Sequence, residues 1–279
     1  VAAKTEYAAT IIVPAHNEAT VIGRLLASLP GQIDGRPLQI IVSCNGCSDN
    51  TAQVAASYGV TVCETATPSK IAALNAGDMA AVAFPRLYID ADIEISSRAV
   101  RDITEYLSRP GATFAAPPSQ MELSGRPWLV RAYFKYWRCL MDLREIRVGA
   151  GVYALSEAGR ARFKYFPDVI ADDLFVQNTF SREERHVVQT DATLVQAPHT
   201  VRALFRRRVR VCIGNRQLMT SEPGPRLPWW RVIVAHPQLL PNAIVYATMN
   251  LLARIAAGRQ QRGNNPVQWG RDDTTRPAS

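Results

Sequence analysis

The feature that most limits the fold is the alternation of strand-like and helix-like signals across the first 95 residues. Thr10-Ile11-Ile12-Val13-Pro14 is a short apolar run of the kind a buried parallel strand needs. Val21, Ile22, Leu25, Leu26 and Leu29 then recur at helical spacing, and Pro30-Gly31 stops that helix. Residues 38–43 predict a second strand. Ser48 or Asp49 is placed to cap a helix through Ala56, with Gly59 as its terminator. Residues 60–63 read as a third strand, Ser69 can cap a helix from Lys70 to about Ala81, and Arg86-Leu87-Tyr88-Ile89 forms a fourth strand. Such alternation predicts a doubly wound α/β layer with ligands at the carboxyl ends of its strands.

Three loops meet at that edge: His16-Asn17-Glu18, Asn45 with its neighbours, and Asp90-Ala91-Asp92. Along a strand, positions i and i+2 share a face, so Asp90 and Asp92 can converge. Two such carboxylates suit a hard divalent cation that also holds phosphate oxygens. An exposed acidic turn accounts for the same two residues. The chain carries neither G-x-G-x-x-G nor the Walker lysine motif, which argues against a dinucleotide dehydrogenase or a P-loop enzyme.

A chain of 279 residues is long enough for one large domain or a domain with an extension. Its 32 basic and 24 acidic side chains leave a net charge of +8, which suits an anionic partner: a nucleotide sugar, a phospholipid surface or nucleic acid. Cys44, Cys47, Cys63, Cys139 and Cys212 make no even, closely spaced framework, so reduced thiols in a cytosol are expected. Cys44-Asn45-Gly46-Cys47 matches C-x-x-C, but no second such pair or His pair accompanies it to make a zinc site. The amino terminus has no basic region followed by an apolar one, so secretion has no support and a cytoplasmic location is expected.

Four segments in order carry a resemblance. Ile12-Val13-Pro14-Ala15-His16-Asn17-Glu18, then Asn45-Gly46-Cys47-Ser48-Asp49-Asn50-Thr51, then Lys70 with Ala73-Leu74-Asn75-Ala76-Gly77, then Asp90-Ala91-Asp92, resemble family 2 glycosyltransferases of the GT-A fold. The likeness covers roughly residues 8–215. It implies a Rossmann-like mixed sheet flanked by helices, and transfer of a sugar from a nucleotide diphosphate with inversion, using manganese or magnesium. Asp90, Ala91 and Asp92 then mark the metal and diphosphate site, with Asp92 as the direct ligand.

Inverting transfer needs a base to take the acceptor hydroxyl's proton. Asp168-Val169-Ile170-Ala171-Asp172-Asp173-Leu174 resembles the family's Glu-Asp motif, which makes Asp173 the base, with Asp172 in place of the usual Glu. Two acids can instead simply favour a helix amino terminus. Gly149-Ala150-Gly151-Val152-Tyr153-Ala154 resembles the family's small-residue segment beside donor sugar and acceptor, where Gly151 allows close backbone approach. The segment 200–217 resembles a basic stretch whose arginines hold the diphosphate, with Arg207 and Arg210 the candidates. A solvated basic face, or one against anionic lipid, fits those arginines equally. On the donor side, Glu18 can accept from ribose hydroxyls, Pro14 and His16 can line the base, and Lys70 can contact phosphate or sit as a surface lysine. Asn45 stands where the family often has Asp, and its oxygen can accept from a base imino N–H; this favours uridine and leaves guanosine and deoxythymidine open.

The aromatic-rich stretch 127–146 predicts a helix on the sheet, and 187–195 a strand. Residues 232–253 hold no charged side chain, yet their prolines and amides argue against a spanning helix. Pro241-Asn242 can open a helix ending near Gly258 that, with Trp229 and Trp230, lies on a membrane surface, on a second copy or on its own domain. The expected organisation is a transferase domain over 1–222, a helical extension over 223–258 and a loose tail over 259–279. The expected partners are a nucleotide-sugar donor and a carbohydrate, lipid-linked or small-molecule acceptor, without nucleic acid, in the cytoplasm or at the inner face of the cell membrane. A sugar-phosphate nucleotidyltransferase and a non-catalytic basic binding module are the competing readings. The first lacks its glycine-rich amino-terminal loop, and the second gains nothing from carboxylates clustered in its cleft.

Overall fold

The structure is a computed structural model that describes residues 6–143, 151–217 and 230–262. Expectations that fall on Ile146, Gly149, Ala150, Trp229 and residues 263–279 lie outside the described residues.

In chain order the elements are β1 (Ala9–Ala15), α1 (Ile22–Ser28), β2 (Gln32–Ile33), β3 (Arg36–Asn45), α2 (Thr51–Ser57), β4 (Thr61–Thr65), α3 (Lys70–Ala80) and β5 (Arg86–Ile89). Then come α4 (Ser97–Leu107), β6 (Phe114–Ala116), β7 (Ser119–Glu122), α5 (Trp128–Leu143), β8 (Val152–Leu155), α6 (Glu157–Arg160) and α7 (Asp172–Asn178). The chain continues through β9 (Arg185–Val187), β10 (Thr193–Gln196), α8 (Val201–Gln217), α9 (Trp230–Ala235), a single 3-10 turn and α10 (Leu240–Arg262).

Two compact units divide this chain. The first gathers residues 1–120, 148–168 and 175–195; the second gathers 121–147, 169–174 and 196–279. In the first unit β4, β3, β1 and β5 run parallel, in that order, and β8 joins antiparallel beside β5. β6 pairs antiparallel with β8, β9 closes the far edge parallel to β6, and β2 caps the start of β3. Every residue of β1 is buried, as its unbroken apolar run requires of a central parallel strand. From β1 the chain winds outward to β3 and β4, then returns to place β5 on the other side. That reversal makes a topological switch point between β1 and β5, and the crevice beyond their carboxyl ends is where such sheets bind ligands.

Beneath the sheet, Ile12, Ile41, Leu74, Tyr88, Phe114, Tyr153, Leu155, Phe166 and Phe180 form one apolar cluster. A buried charge sits among them. Asp78 of α3 accepts from Arg86 Nη1 at 2.7 Å and Tyr88 Oη at 2.6 Å through Oδ1, and from Arg160 Nε at 2.8 Å through Oδ2. Burial alone would raise its pKa, but the hydrogen bonds from Arg160, Tyr88 and Arg86 outweigh it and hold the carboxyl below its usual range. The same burial and the Asp78 charge push the Tyr88 phenol well up.

The second unit is helical. Val130, Tyr133, Phe134 and Leu204 pack with Tyr246 and Met249; Tyr136, Leu140, Val232, Leu239 and Ala243 form a neighbouring cluster. Cys212, Ile213, Ala253 and Ala257 close the contact between α8 and α10.

Some elements differ from the sequence reading. α2 begins after Asn50, and neither Ser48 nor Asp49 caps it; Asp49 instead accepts from the Thr51 amide at 3.1 Å and from the Thr51 hydroxyl. The stretch 187–195 is not one strand: β9 ends at Val187 and β10 starts at Thr193, in a different, two-stranded sheet with β7. α10 opens at Leu240 and runs past Gly258 to Arg262, because glycine lowers helix propensity without itself ending a helix, and Ala257 beside it is packed against α8. Ser69 does cap α3, accepting from the Ala72 amide.

Candidate functional site

Three loops of the first unit stand at the switch-point edge. The β1 loop turns at Asn17, whose φ is +55°, a conformation Asn tolerates better than most residues. Its Oδ1 accepts from the Ser48 amide at 2.7 Å and the Asp49 amide at 3.2 Å. Its own amide points at Cys47 Sγ, 3.4 Å away. The Glu18 amide donates to Thr51 Oγ1 at 2.7 Å and the Ala19 amide to Asp49 Oδ2 at 3.2 Å. The β1 and β3 loops are therefore one hydrogen-bonded body. Pro14 is buried in β1, while His16 and Glu18 keep part of their surface.

Asn45 ends β3 with no exposed surface. Its Nδ2 donates to Ala15 O at 2.8 Å, its main-chain O lies 2.5 Å from His16 Nδ1, and its Oδ1 is buried without a partner. Gly46 follows at φ +53°, where an added Cβ would come within 2.9 Å of Pro68 N, so only glycine fits this turn unstrained.

β5 stops at Ile89. The Asp90 carbonyl accepts from the Ile93 amide at 3.1 Å, so Asp90-Ala91-Asp92-Ile93 is a tight turn rather than extended strand. The strand argument for the convergence of Asp90 and Asp92 thus fails. Their segregation survives by burial: Ala91 and Ile93 point inward, and both acids remain half-exposed. Lys70 Nζ, at the start of α3, lies 2.7 Å from Asp90 Oδ1. The Asp90 amide donates to Gly151 O at 2.8 Å, and a Cβ on Gly151 would come within 3.0 Å of Asp90 Oδ2 and 2.9 Å of Ile93 Cδ1. Gly151, at φ +77°, is the only residue type that leaves this carboxylate room. Asp90, Asp92, Lys70 and Gly151 therefore share one corner of the unit.

No group of three His, Cys, Asp or Glu side chains among the described residues could hold a metal alone. The donor set still fits a hard cation, since carboxylate oxygens suit it and substrate phosphates and water complete such sites. All five cysteines are thiols. Burial, then the neighbouring Cys47, raises Cys44 to about 12, which keeps it protonated and a poor metal ligand.

In the second unit, Asp172 opens α7 and is buried, whereas Asp173 is half-exposed with its Oδ1 accepting from the Leu174 amide at 2.8 Å. The preceding loop is held by α8: Gln217 Oε1 accepts from the Ile170 amide at 3.0 Å, and Ile170 packs beside Cys212 and Ile213. Arg207 and Arg210 are half-buried on α8, while Arg206 is exposed. Arg208 donates to Asn250 Oδ1 at 3.1 Å and faces the Tyr133 ring, so it braces α10.

Sequence reasoning offered Asp49 only as a helix cap and gave no bonding role to Asn17 and Thr51, which with Asp49 carry the bonds between loops, or to Asn75, whose amide exchanges two hydrogen bonds with the Phe166 backbone. The signal was there: an Asn in a turn and an Asn inside a helix both ask what their side chains bond.

The family model described as Glycosyl transferase family 2 matches residues 10–166. Over 192 residues, 65% of this chain, the sequence is 27% identical to 4,4'-diaponeurosporenoate glycosyltransferase of Staphylococcus aureus (strain USA300). The match covers 49% of that protein, so the chain spans about half the length of the curated relatives it matches. In fold it is similar to the mannosyltransferase PcManGT from Pyrobaculum calidifontis, solved with GDP-Man and Mn2+ (TM-score 0.57, 18% identity, 93% of this chain and 76% of that one). It is also similar to glucosyl-3-phosphoglycerate synthase from Mycobacterium tuberculosis, solved with Mn2+, UDP and glucosyl-3-phosphoglycerate (TM-score 0.56, 20% identity, 76% and 78%).

Proposed function

The chain belongs to glycosyl transferase family 2 and has the GT-A fold, and on that premise we propose that it moves a sugar from a nucleoside-diphosphate donor to an acceptor hydroxyl with inversion. The observation that carries this reading is the corner at the switch point, where Lys70, Asp90, Asp92 and Gly151 combine one fixed cation with two half-exposed carboxylates. Asp92 is the residue we assign to a divalent cation, with Asp90, already engaged by Lys70, holding the turn and the second oxygen set. When bound, manganese or magnesium supplies positive charge against the departing diphosphate. Lys70 adds charge of the same sign, and Arg207 and Arg210 serve the diphosphate from α8.

Asp173 takes the proton from the acceptor hydroxyl as its oxygen bonds to the anomeric carbon and the bond to the nucleoside diphosphate breaks. Asp172, buried at the first position of α7, orients that turn. Glu18 serves the ribose, with Pro14 and His16 against the base. The Asn45 oxygen without a partner supports a base with an imino N–H, which uridine, deoxythymidine and guanosine all carry: a buried acceptor left unmet costs about 1–3 kcal/mol, and that N–H would meet it. Five thiols without a disulfide support a reducing, cytosolic setting.

Calorimetry with UDP, GDP and dTDP tests the reading. UDP is expected to bind at least tenfold more tightly with manganese or magnesium than with chelator, and Asp92→Ala to remove that difference. Equal affinity with and without metal in the unaltered protein would overturn the assignment.

A further inference from the structure

Leu240, Ile244, Leu251 and Ile255 on α10 are 45–59% exposed. At about 100° per residue they fall within roughly 60° of the helix circumference, and Leu252 widens the stripe. On α9, Trp230 and Val234 are exposed one turn apart. Seven of the twelve large apolar side chains exposed among the described residues thus lie between positions 230 and 255, a concentration in one segment with four of them on one stripe of α10. Charge follows the same segment. Residues 230–262 contain no Asp or Glu, whereas Arg231, Arg254 and Arg259 are exposed, and Arg254 borders the stripe about 40° from Leu240.

We propose that this α9–α10 face binds an anionic lipid bilayer surface, with α10 lying in the interface. By length and composition the helix from Pro237 to Gln260 could cross a membrane, and only 22% of its apolar window is buried. Its other face, however, is committed within its own unit. Tyr246, Asn250, Ala253 and Ala257 are turned inward, Arg208 holds Asn250, Asn242 Nδ2 donates to Ala132 O at 3.3 Å, and Arg216 reaches Arg254 O at 3.3 Å. Crossing a bilayer would strip those contacts away, while lying on one keeps them and buries only the stripe. Apolar side chains entering the headgroup boundary with flanking arginines over anionic lipid are the two forces such helices combine. Nothing in this surface depends on the sugar-transfer reading.

Sedimentation of the full chain with vesicles of phosphatidylcholine, with and without roughly one third phosphatidylglycerol, tests it. Binding is expected to the anionic vesicles, at least tenfold weaker to neutral ones, and reversed by high salt. The double variant Leu251→Glu/Leu252→Glu should lose at least tenfold in binding with an unchanged melting temperature, because both side chains are exposed. Arg254→Gln should lose about fivefold. Equal pelleting with and without vesicles, or a bound double variant, overturns the proposal. So does binding that survives alkaline carbonate, which would mean a spanning helix. A dimer that the double variant dissolves, with no vesicle binding, would assign the face to a second copy instead.

Discussion

Asp172 and Asp173 are adjacent acids with different surroundings, and the proposed division of their roles rests on that difference. One is sealed at the start of α7 and the other keeps surface. A proton acceptor has to meet a hydroxyl that arrives from solution, which only the exposed carboxylate can do without rearrangement. Asp173→Asn is therefore expected to leave nucleoside-diphosphate affinity within about twofold while lowering turnover by about 10²–10⁴, as removal of a general base does. Single-turnover assays beside calorimetry separate the two effects; a variant with near-normal turnover would move the base elsewhere. At the same scale, Lys70 explains why two acids one residue apart need not be equivalent. Its ammonium lies 2.7 Å from Asp90 Oδ1, so Asp90 carries a fixed counter-charge within the corner.

Among the elements, Asp78 joins α3 to β5 and to α6 through Arg86, Tyr88 and Arg160. Asp78→Asn removes the charge but not the side chain, leaving two mostly buried guanidinium groups without their counter-ion, at a cost of about 3 kcal/mol. Because the folded carboxyl titrates below its ordinary value of 3.8, the unfolded chain binds the proton more readily. The stabilisation is complete above that value and is lost as pH falls through the folded pKa. Urea unfolding across pH should show a steep acid limb in the parent protein and a flatter one in the variant. Arg86 and Asp78 are eight residues apart and Arg160 is eighty-two from Asp78, so no periodicity announces this network. What the sequence does announce is local. The strand at β1, the Ser69 cap and the start of α3 are readable because apolar runs and caps act within one turn or one strand. The turn at Asp90-Ala91-Asp92-Ile93 is legible as a candidate site and illegible as a shape. Its backbone is set by the Gly151 carbonyl some sixty residues away, and no window around Asp90 contains that partner. The break between β9 and β10 is of the same kind, since Val187 and Thr193 answer to different sheets.

For the molecule as a whole, a net charge of +8 sets how ligands arrive and how salt acts. A nucleoside diphosphate with manganese at a hundredfold over its dissociation constant should add about 2.7 kcal/mol by mass action. A melting scan should register that as a rise of about 5 °C. Raising the salt to about 1 M should cut the rise by more than half, because the screening length shortens to about 3 Å. A rise indifferent to salt would mean that the arginines of α8 and the Lys70 ammonium take no part.

The second unit is assembled from three separate lengths of chain, and the shortest, 169–174, holds both Asp172 and Asp173. That six-residue strip is tied to α8 through Ile170 and Gln217, although the polypeptide on either side of it belongs to the other unit. No single cut can release either unit whole. A gene fragment ending between residues 174 and 217 would strand the acidic strip without its brace, so exchanging terminal halves between relatives is closed to the engineer. The exchange has to be made in pieces, one loop at a time.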